Sequence, residues 1–152
     1  MPSSAPLRLA INGYGRIGRC FLRALLESPS AGHLEIVAIN EPANLESMAY
    51  LTRYDSTHGR LRGEVEVSGS ALAINGRRIE VSHARTPEAV DWRALDIDLL
   101  IEASGCYGRR PELTRFLDAG CPRLLLSHPG ASGEDVDATI VAGINQHTLT
   151  GS

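Results

Sequence analysis

The period of the apolar positions changes several times along the chain, and each change marks an element. Leu7-Arg8-Leu9-Ala10-Ile11 is a short, mostly apolar run of the kind that makes a buried strand, and it stops at Asn12-Gly13. From Ile17 the spacing is helical: Ile17, Cys20, Phe21, Ala24 and Leu25 predict one face of a helix, which Ser28-Pro29-Ser30-Ala31-Gly32 breaks. Leu34 to Ile39 predicts a second strand, completing a β-α-β unit. Asn44 then stands where it can cap a helix through Leu45, Met48, Ala49 and Leu51, ending at the polar loop Tyr54-Asp55-Ser56-Thr57-His58-Gly59. After that loop the period falls to two. Glu64–Val67, Ala71–Ile74 and Arg78–Val81 predict strands, with Asn75-Gly76 as a two-residue hairpin turn, so a small antiparallel insertion is expected here.

The remainder alternates again. Thr86-Pro87-Glu88 predicts a helix start leading through Val90 and Trp92 toward Leu95, and Asp98–Ala103 another buried strand. A helix with Leu113, Phe116 and Leu117 on one face ends at Gly120. Two further strands are expected at Arg123–Ser127 and Ala138–Ala142, joined through His128-Pro129-Gly130. Strands and helices in this order give an α/β fold, a Rossmann-type doubly wound, mostly parallel sheet, with residues 1–152 as one domain.

The chemistry is concentrated where the first strand meets the first helix. Gly13, Gly15 and Gly18 form a G-x-G-x-x-G turn: the first allows the tight turn, the second lets bare backbone approach a pyrophosphate, and the third lets helix and strand pack closely. The unpaired N–H groups of the helix's first turn then point at the anion. In a chain with 15 glycines this spacing alone is weak evidence; the flanking strand and helix give it weight. Glu41, at the end of the second predicted strand and 23 positions after Gly18, stands where a carboxylate binds the adenosine ribose, although capping the next helix is the plainer use of it. A 2'-phosphate about 4 Å from that carboxylate would meet repulsion of about 4 kcal/mol per charge pair at an effective dielectric near 20, so NAD is expected rather than NADP. Ser104-Gly105 follows a parallel strand, and its small residues suit close passage of a cofactor.

Composition excludes several classes. At 152 residues and 43% apolar content the chain fills one core. A net charge of −3 and basic runs no longer than Arg77-Arg78 and Arg109-Arg110 give no nucleic-acid footprint. Cys20, Cys106 and Cys121 are odd in number and widely spaced, which points away from a disulfide framework and from a zinc site, so no metal is expected and a reducing, cytoplasmic setting is. No apolar stretch approaches the length of a membrane span.

Three ordered motifs, Ala10-Ile11-Asn12-Gly13-Tyr14-Gly15-Arg16-Ile17-Gly18-Arg19, Ala38-Ile39-Asn40-Glu41 and Tyr54-Asp55-Ser56-Thr57-His58-Gly59-Arg60, resemble the glyceraldehyde-3-phosphate dehydrogenase superfamily. Within it, Glu41 and Ser127-His128-Pro129-Gly130 are more similar to the branch that oxidises D-erythrose 4-phosphate, with the glycolytic branch as the alternative. The resemblance covers essentially the whole chain, but only the amino-terminal, NAD-binding half of such an enzyme, whose whole is a homotetramer. It implies that Arg16 and Ile17 join the pyrophosphate cradle, that Arg85 lies on the adenine side, and that Ser104, Gly105 and Ser127 lie toward the ribose and nicotinamide. For Arg85 an ordinary surface role stays equally open. The family's nucleophilic Ser-Cys-Thr-Thr-Asn-Cys segment does not occur in the sequence.

No catalytic residue is therefore assigned. Cys20 is expected in the core and Cys121 in a helix-to-strand turn. Cys106 lies near the nicotinamide but has no partner histidine to generate a thiolate. His58 and Asp55 read as loop-shaping residues. The resulting expectation is a chain that binds NAD weakly, turns over nothing by itself, and self-associates through the face that a catalytic domain would cover. A stand-alone nucleotide-sensing module is the rival from another class.

Overall fold

The computed structural model describes residues 4–151. Strand β1 (Leu7–Asn12) lies inside a parallel core, paired on one side with β2 (Leu34–Asn40) and on the other with β8 (Leu99–Glu102). Along β1, Leu9 and Ile11 face one hydrophobic cluster with Leu22, Met48 and Leu72, while Ala10 faces a second with Trp92, Leu100 and Phe116. That two-sided burial is why the strand reads as an apolar run rather than an alternation. Helix α1 (Arg16–Glu27) connects β1 to β2, and α2 (Leu45–Arg53) follows β2 with Asn44 as its cap, the side-chain oxygen accepting from the Ser47 amide at 2.8 Å.

The loop Tyr54–Gly59 contains a two-stranded ribbon, β3 (Tyr54–Asp55) and β4 (Gly59–Arg60). Strands β5 (Val65–Ser68), β6 (Ala71–Ile74) and β7 (Arg77–Ser82) are antiparallel to one another, as the period-two pattern predicts, with Asn75 and Gly76 both at positive φ in the hairpin turn. Strand β7 runs parallel to β2 and joins all three to the main sheet, whose order is β5-β6-β7-β2-β1-β8-β9. Helix α3 (Arg110–Asp118) and edge strand β9 (Leu124–Leu126) complete the sheet.

Four details differ from the sequence expectation, each for a local reason. The α1 face is rotated: Ile17 and Ala24 are exposed, and Gly18, Leu22 and Arg23 are buried. Close contact of Gly18 with the Gly13 carbonyl and the Ile11 side chain sets that rotation, and Ile17 falls outside the contact. Between Thr86 and Leu95 only one 3-10 turn forms, at Pro87–Ala89. Val90 and Trp92 are both buried two residues apart, a spacing one helical face cannot supply, and the Trp92 indole donates to the Pro87 carbonyl at 2.8 Å. Leu117 points outward, 46% exposed, while Leu113 and Phe116 are buried. Finally, Ala138–Ala142 is not a strand: it lies beyond β9 as irregular chain with Val141 half exposed, and no strand among the described residues pairs with it.

Candidate functional site

The chain reverses direction around β1, running outward to β2 and β7 on one side and to β8 and β9 on the other. Ligands of open α/β sheets bind outside the carboxyl ends of the strands at such a switch point. Here those ends frame a cleft of about 310 Å³ lined by Asn12, Gly13 and Gly15 after β1, Asn40, Glu41 and Pro42 after β2, Ala84–Pro87 after β7, and Ala103, Ser104, Cys106 and Tyr107 after β8.

The three glycines do three different jobs. Gly13 has φ +92°, and a Cβ there would lie 2.5 Å from the backbone N and Cα of Ser104, so the turn and the end of β8 touch only because no side chain intervenes. A Cβ on Gly18 would lie against the Gly13 carbonyl oxygen, inside van der Waals contact. Gly15 is the reverse case: nothing lies within 4 Å of its Cβ position, and bare backbone faces open space. As residue preceding α1 it offers no side-chain cap, and the first turn of that twelve-residue helix has no acidic residue. A helix N-terminus with unsatisfied amides and no carboxylate of its own suits a pyrophosphate.

Glu41 stands at the other wall. Its carboxylate accepts from the Tyr14 amide at 2.7 Å and from the Ala43 amide at 3.1 Å, so it is held against the glycine turn rather than capping α2, a task Asn44 performs. Two amide donors fix the carboxylate's direction before any ligand arrives. The glycine turn, Glu41, Arg85 and Ser104 are thus brought into one cleft. Arg16, Ile17, Gly18, Gly105 and Ser127 are outside its lining; the first three continue into α1, and Ser127 follows β9 with its amide donating to the Glu102 carbonyl at 3.0 Å.

Beneath the cleft runs a row of polar side chains that sequence reasoning missed. Ser82, Asn40, Asn12 and Glu102 are register neighbours on four adjacent strands. The Ser82 hydroxyl donates to Asn40 Oδ1 (2.8 Å), the Asn40 amide donates to Asn12 Oδ1 (2.8 Å), and the Asn12 amide donates to Glu102 Oε1 (3.0 Å). The Ser104 hydroxyl and amide converge on that same Oε1. From Ser82 to Glu102 Oε1 each member is bonded to the next, which is what allows buried polar groups at a sheet's centre. A partial signal was present: Ala-Ile-Asn occurs three times, at 10–12, 38–40 and 73–75, and the first two copies pair in register, whereas the third ends in the hairpin turn at Asn75.

Candidate nucleophiles are placed as follows. Cys121 is buried, and desolvation pushes its thiol up to about 12, which removes it from thiolate chemistry at neutral pH. Cys20 is half-buried rather than a core residue. Cys106 is exposed and lines the cleft; its amide donates to the Ser104 hydroxyl, and its thiol donates to the Ser104 carbonyl oxygen at 3.7 Å, not to a base. Asp55 accepts from the amides of His58 and Thr57, bonds that hold its carboxyl down at about 2 and bend the loop, in keeping with the loop-shaping role.

The sequence model for the glyceraldehyde 3-phosphate dehydrogenase NAD-binding domain matches residues 7–110, which takes in the glycine turn, Glu41 and the end of β8. The chain belongs to the glyceraldehyde 3-phosphate dehydrogenase family. Its cofactor is NAD, and the cleft fits it, with open backbone at Gly15, an uncapped helix and an oriented Glu41. Two relatives from Cupriavidus necator are similar over 143 residues: the plasmid-borne glyceraldehyde-3-phosphate dehydrogenase at 45% identity and the chromosomal one at 44%. Each alignment covers 94% of this chain and 42% of the relative, so the chain spans less than half the length of these dehydrogenases.

Proposed function

We propose that this chain supplies the NAD-binding half of an aldehyde-phosphate dehydrogenase, and that the aldehyde is D-erythrose 4-phosphate, oxidised to 4-phosphoerythronate on the way to pyridoxal phosphate. The observation that carries the cofactor half of this reading is the pairing of an open Gly15 backbone with a Glu41 carboxylate fixed by the Tyr14 amide across the same cleft. The substrate half rests on Glu41 and on Ser127-His128-Pro129-Gly130, which resemble the erythrose branch. A second reading, glyceraldehyde 3-phosphate as substrate, is favoured by the names of the two relatives.

Bound NAD supplies the hydride acceptor. This chain's own residues bind and orient it: the α1 amides take the pyrophosphate, Glu41 accepts from the ribose hydroxyls, and the Ser104–Tyr107 wall closes the other end. No thiol in the described cleft has a base beside it, so the attack on the aldehyde belongs to residues outside these 152. The working setting is proposed to be cytoplasmic. The test is steady-state NADH formation by the longer gene product on both aldehydes. A kcat/KM on erythrose 4-phosphate at least about tenfold above that on glyceraldehyde 3-phosphate, a difference of about 1.4 kcal/mol in barrier, supports the first reading; the reverse order replaces it with the second. NADH produced steadily by the 152-residue chain alone would overturn the assignment of a cofactor-binding half.

A further inference from the structure

The polar row ends on an unsolved problem of hydrogen bonding. Glu102 is fully buried, and its Oε1 takes three donors, but its Oε2 is buried without one. Nε2 of His128 lies 3.6 Å from Oε2, itself buried and without a hydrogen bond. The other ring nitrogen of His128 settles what this means. Nδ1 lies 2.8 Å from the Pro129 carbonyl oxygen, an acceptor only, so Nδ1 must carry a proton. A neutral ring would then aim the Nε2 lone pair at a carboxylate oxygen, two acceptors facing each other in a dry place. One additional proton removes the conflict, making Nε2–H a donor to Oε2.

That proton sits behind the wall of the cleft. Glu102 Oε1 fixes Ser104 through both its amide and its hydroxyl, and the Ser104 hydroxyl in turn accepts from the Cys106 amide. Gly108 closes the same loop by accepting from the Ala131 amide at 2.8 Å, and a methyl placed on Gly108 would lie 3.9 Å from the His128 ring. Ser104, Cys106 and Tyr107 face the cleft; Glu102 and His128 do not. We infer that His128 and Glu102 share one proton, and that this proton latches the Ser104–Gly108 loop in the shape that receives the nicotinamide end of the cofactor.

This assigns a task to the Ser127-His128-Pro129-Gly130 segment, and it rests on reading the cleft as the NAD site. Both residues are positioning residues, since neither touches the cleft. Ionisable groups beside the loop are Cys106 and Tyr107 on it, Glu112 of α3, which accepts from the Gly108 amide at 3.1 Å, and, acting on Tyr107, Arg115 of α3 and Glu88, which are bonded to each other at 2.6 Å. Asn12 from β1 already spends its amide on Oε1. His83, by contrast, lies at the Glu41 end, its ring on the Glu41 carbonyl oxygen.

The test compares NAD with ADP, which lacks the nicotinamide half, by calorimetry on the 152-residue chain across about pH 5.5 to 9. The latch predicts NAD affinity falling about five- to tenfold as pH rises, with ADP affinity flat. His128→Gln, whose amide donates at every pH, keeps the low-pH affinity and flattens the profile. His128→Ala is flat at the weaker value, and Glu102→Gln is flat because its amide donates to the neutral ring. Superimposable NAD and ADP profiles, or unaltered NAD affinity in His128→Ala, overturn the latch while leaving the dinucleotide site intact. A parallel fall for both ligands assigns the effect to His83 and also overturns it. Absence of binding by both ligands at every pH overturns the cofactor reading together with the latch.

Discussion

A methyl group added at Gly13 and one added at Gly15 enter opposite surroundings. At Gly13 it meets the Ser104 backbone at 2.5 Å in a conformation, φ +92°, that disfavours side chains, so neither wall can yield cheaply. Gly13→Ala is expected to cost about 3 kcal/mol or to abolish folding, read by urea denaturation. Gly15→Ala meets nothing within 4 Å and a φ of −76° that alanine adopts freely. Its stability should stay within about 1 kcal/mol of the parent, while NAD affinity, read by calorimetry, drops because the methyl stands where the pyrophosphate approaches. Equal effects of the two substitutions on stability would contradict the division of labour. Glu41→Ala loses a carboxylate that accepts from two amides and is proposed to bind the ribose. NAD binding should weaken about ten- to hundredfold, corresponding to about 1.5–3 kcal/mol for hydrogen bonds to a charged group. Thermal stabilisation by NAD that is the same in parent and variant would dismiss the ribose assignment. These residues were legible in the sequence because a glycine or a strand-end carboxylate at fixed spacing is a local requirement. Glu102 was not, because its partners Asn12 and His128 lie far away along the chain and meet it only across the sheet.

Elements were legible where local chemistry and packing agree. Asn44 caps α2 as its position implies, and Asn44→Ala should lower stability by about 1 kcal/mol in a thermal or urea melt, with NAD affinity unchanged. The hairpin at Asn75-Gly76 likewise follows from two residues that tolerate positive φ. Where packing overrides period, the sequence misleads. Helical spacing in α1 suggests burial of Ile17 and Ala24, yet the close approach of Gly18 to the Gly13 carbonyl turns the face toward Leu22. The stretch after Pro87 has a good helix start, yet Val90 and Trp92 both reach the core only in an extended chain. Ala138–Ala142 has strand composition, but a strand also requires a partner edge, and among the described residues none pairs with it.

At the scale of the whole molecule, two buried groups set the alkaline limit of stability. Burial raises the Cys121 thiol from 9.0 to about 12 and the Tyr14 hydroxyl from 10.0 to about 12. Both are neutral when protonated, so the unfolded chain releases these protons first. Their contribution is intact below pH 9 and is lost as pH rises from 9 toward 12, by up to about 1.4 kcal/mol per pH unit for each group. Urea midpoints should therefore fall between about pH 9 and 11, and Cys121→Val should remove the first part of that slope; a midpoint constant to pH 11 would refute the assignment. Exposed apolar side chains carry a second consequence. Leu125, Val141, Ile144 and Leu149 expose 48, 50, 73 and 60% of their area around the β9 edge and the irregular segment that follows it. Exposed apolar surface of this kind favours association, so the chain should sediment as dimers or larger species, and Val141→Ser with Ile144→Ser should shift it toward monomer. A monodisperse parent monomer at high concentration would contradict this.

The sequence by itself determined the strand, turn and helix of the dinucleotide fingerprint, the carboxylate at the end of β2, the hairpin and the capped helix, because each is fixed by residues within a few positions of one another or at a set spacing. Tertiary structure alone decided which face of α1 is buried, that the antiparallel strands extend the main sheet, and that Ser82, Asn40, Asn12 and Glu102 form one hydrogen-bonded polar line at the cleft, with His128 beside its end. The physical reason is that burial and hydrogen-bond satisfaction are properties of neighbours in space. A carboxylate at the end of an apolar strand has no assigned partner until the sheet order brings one to it.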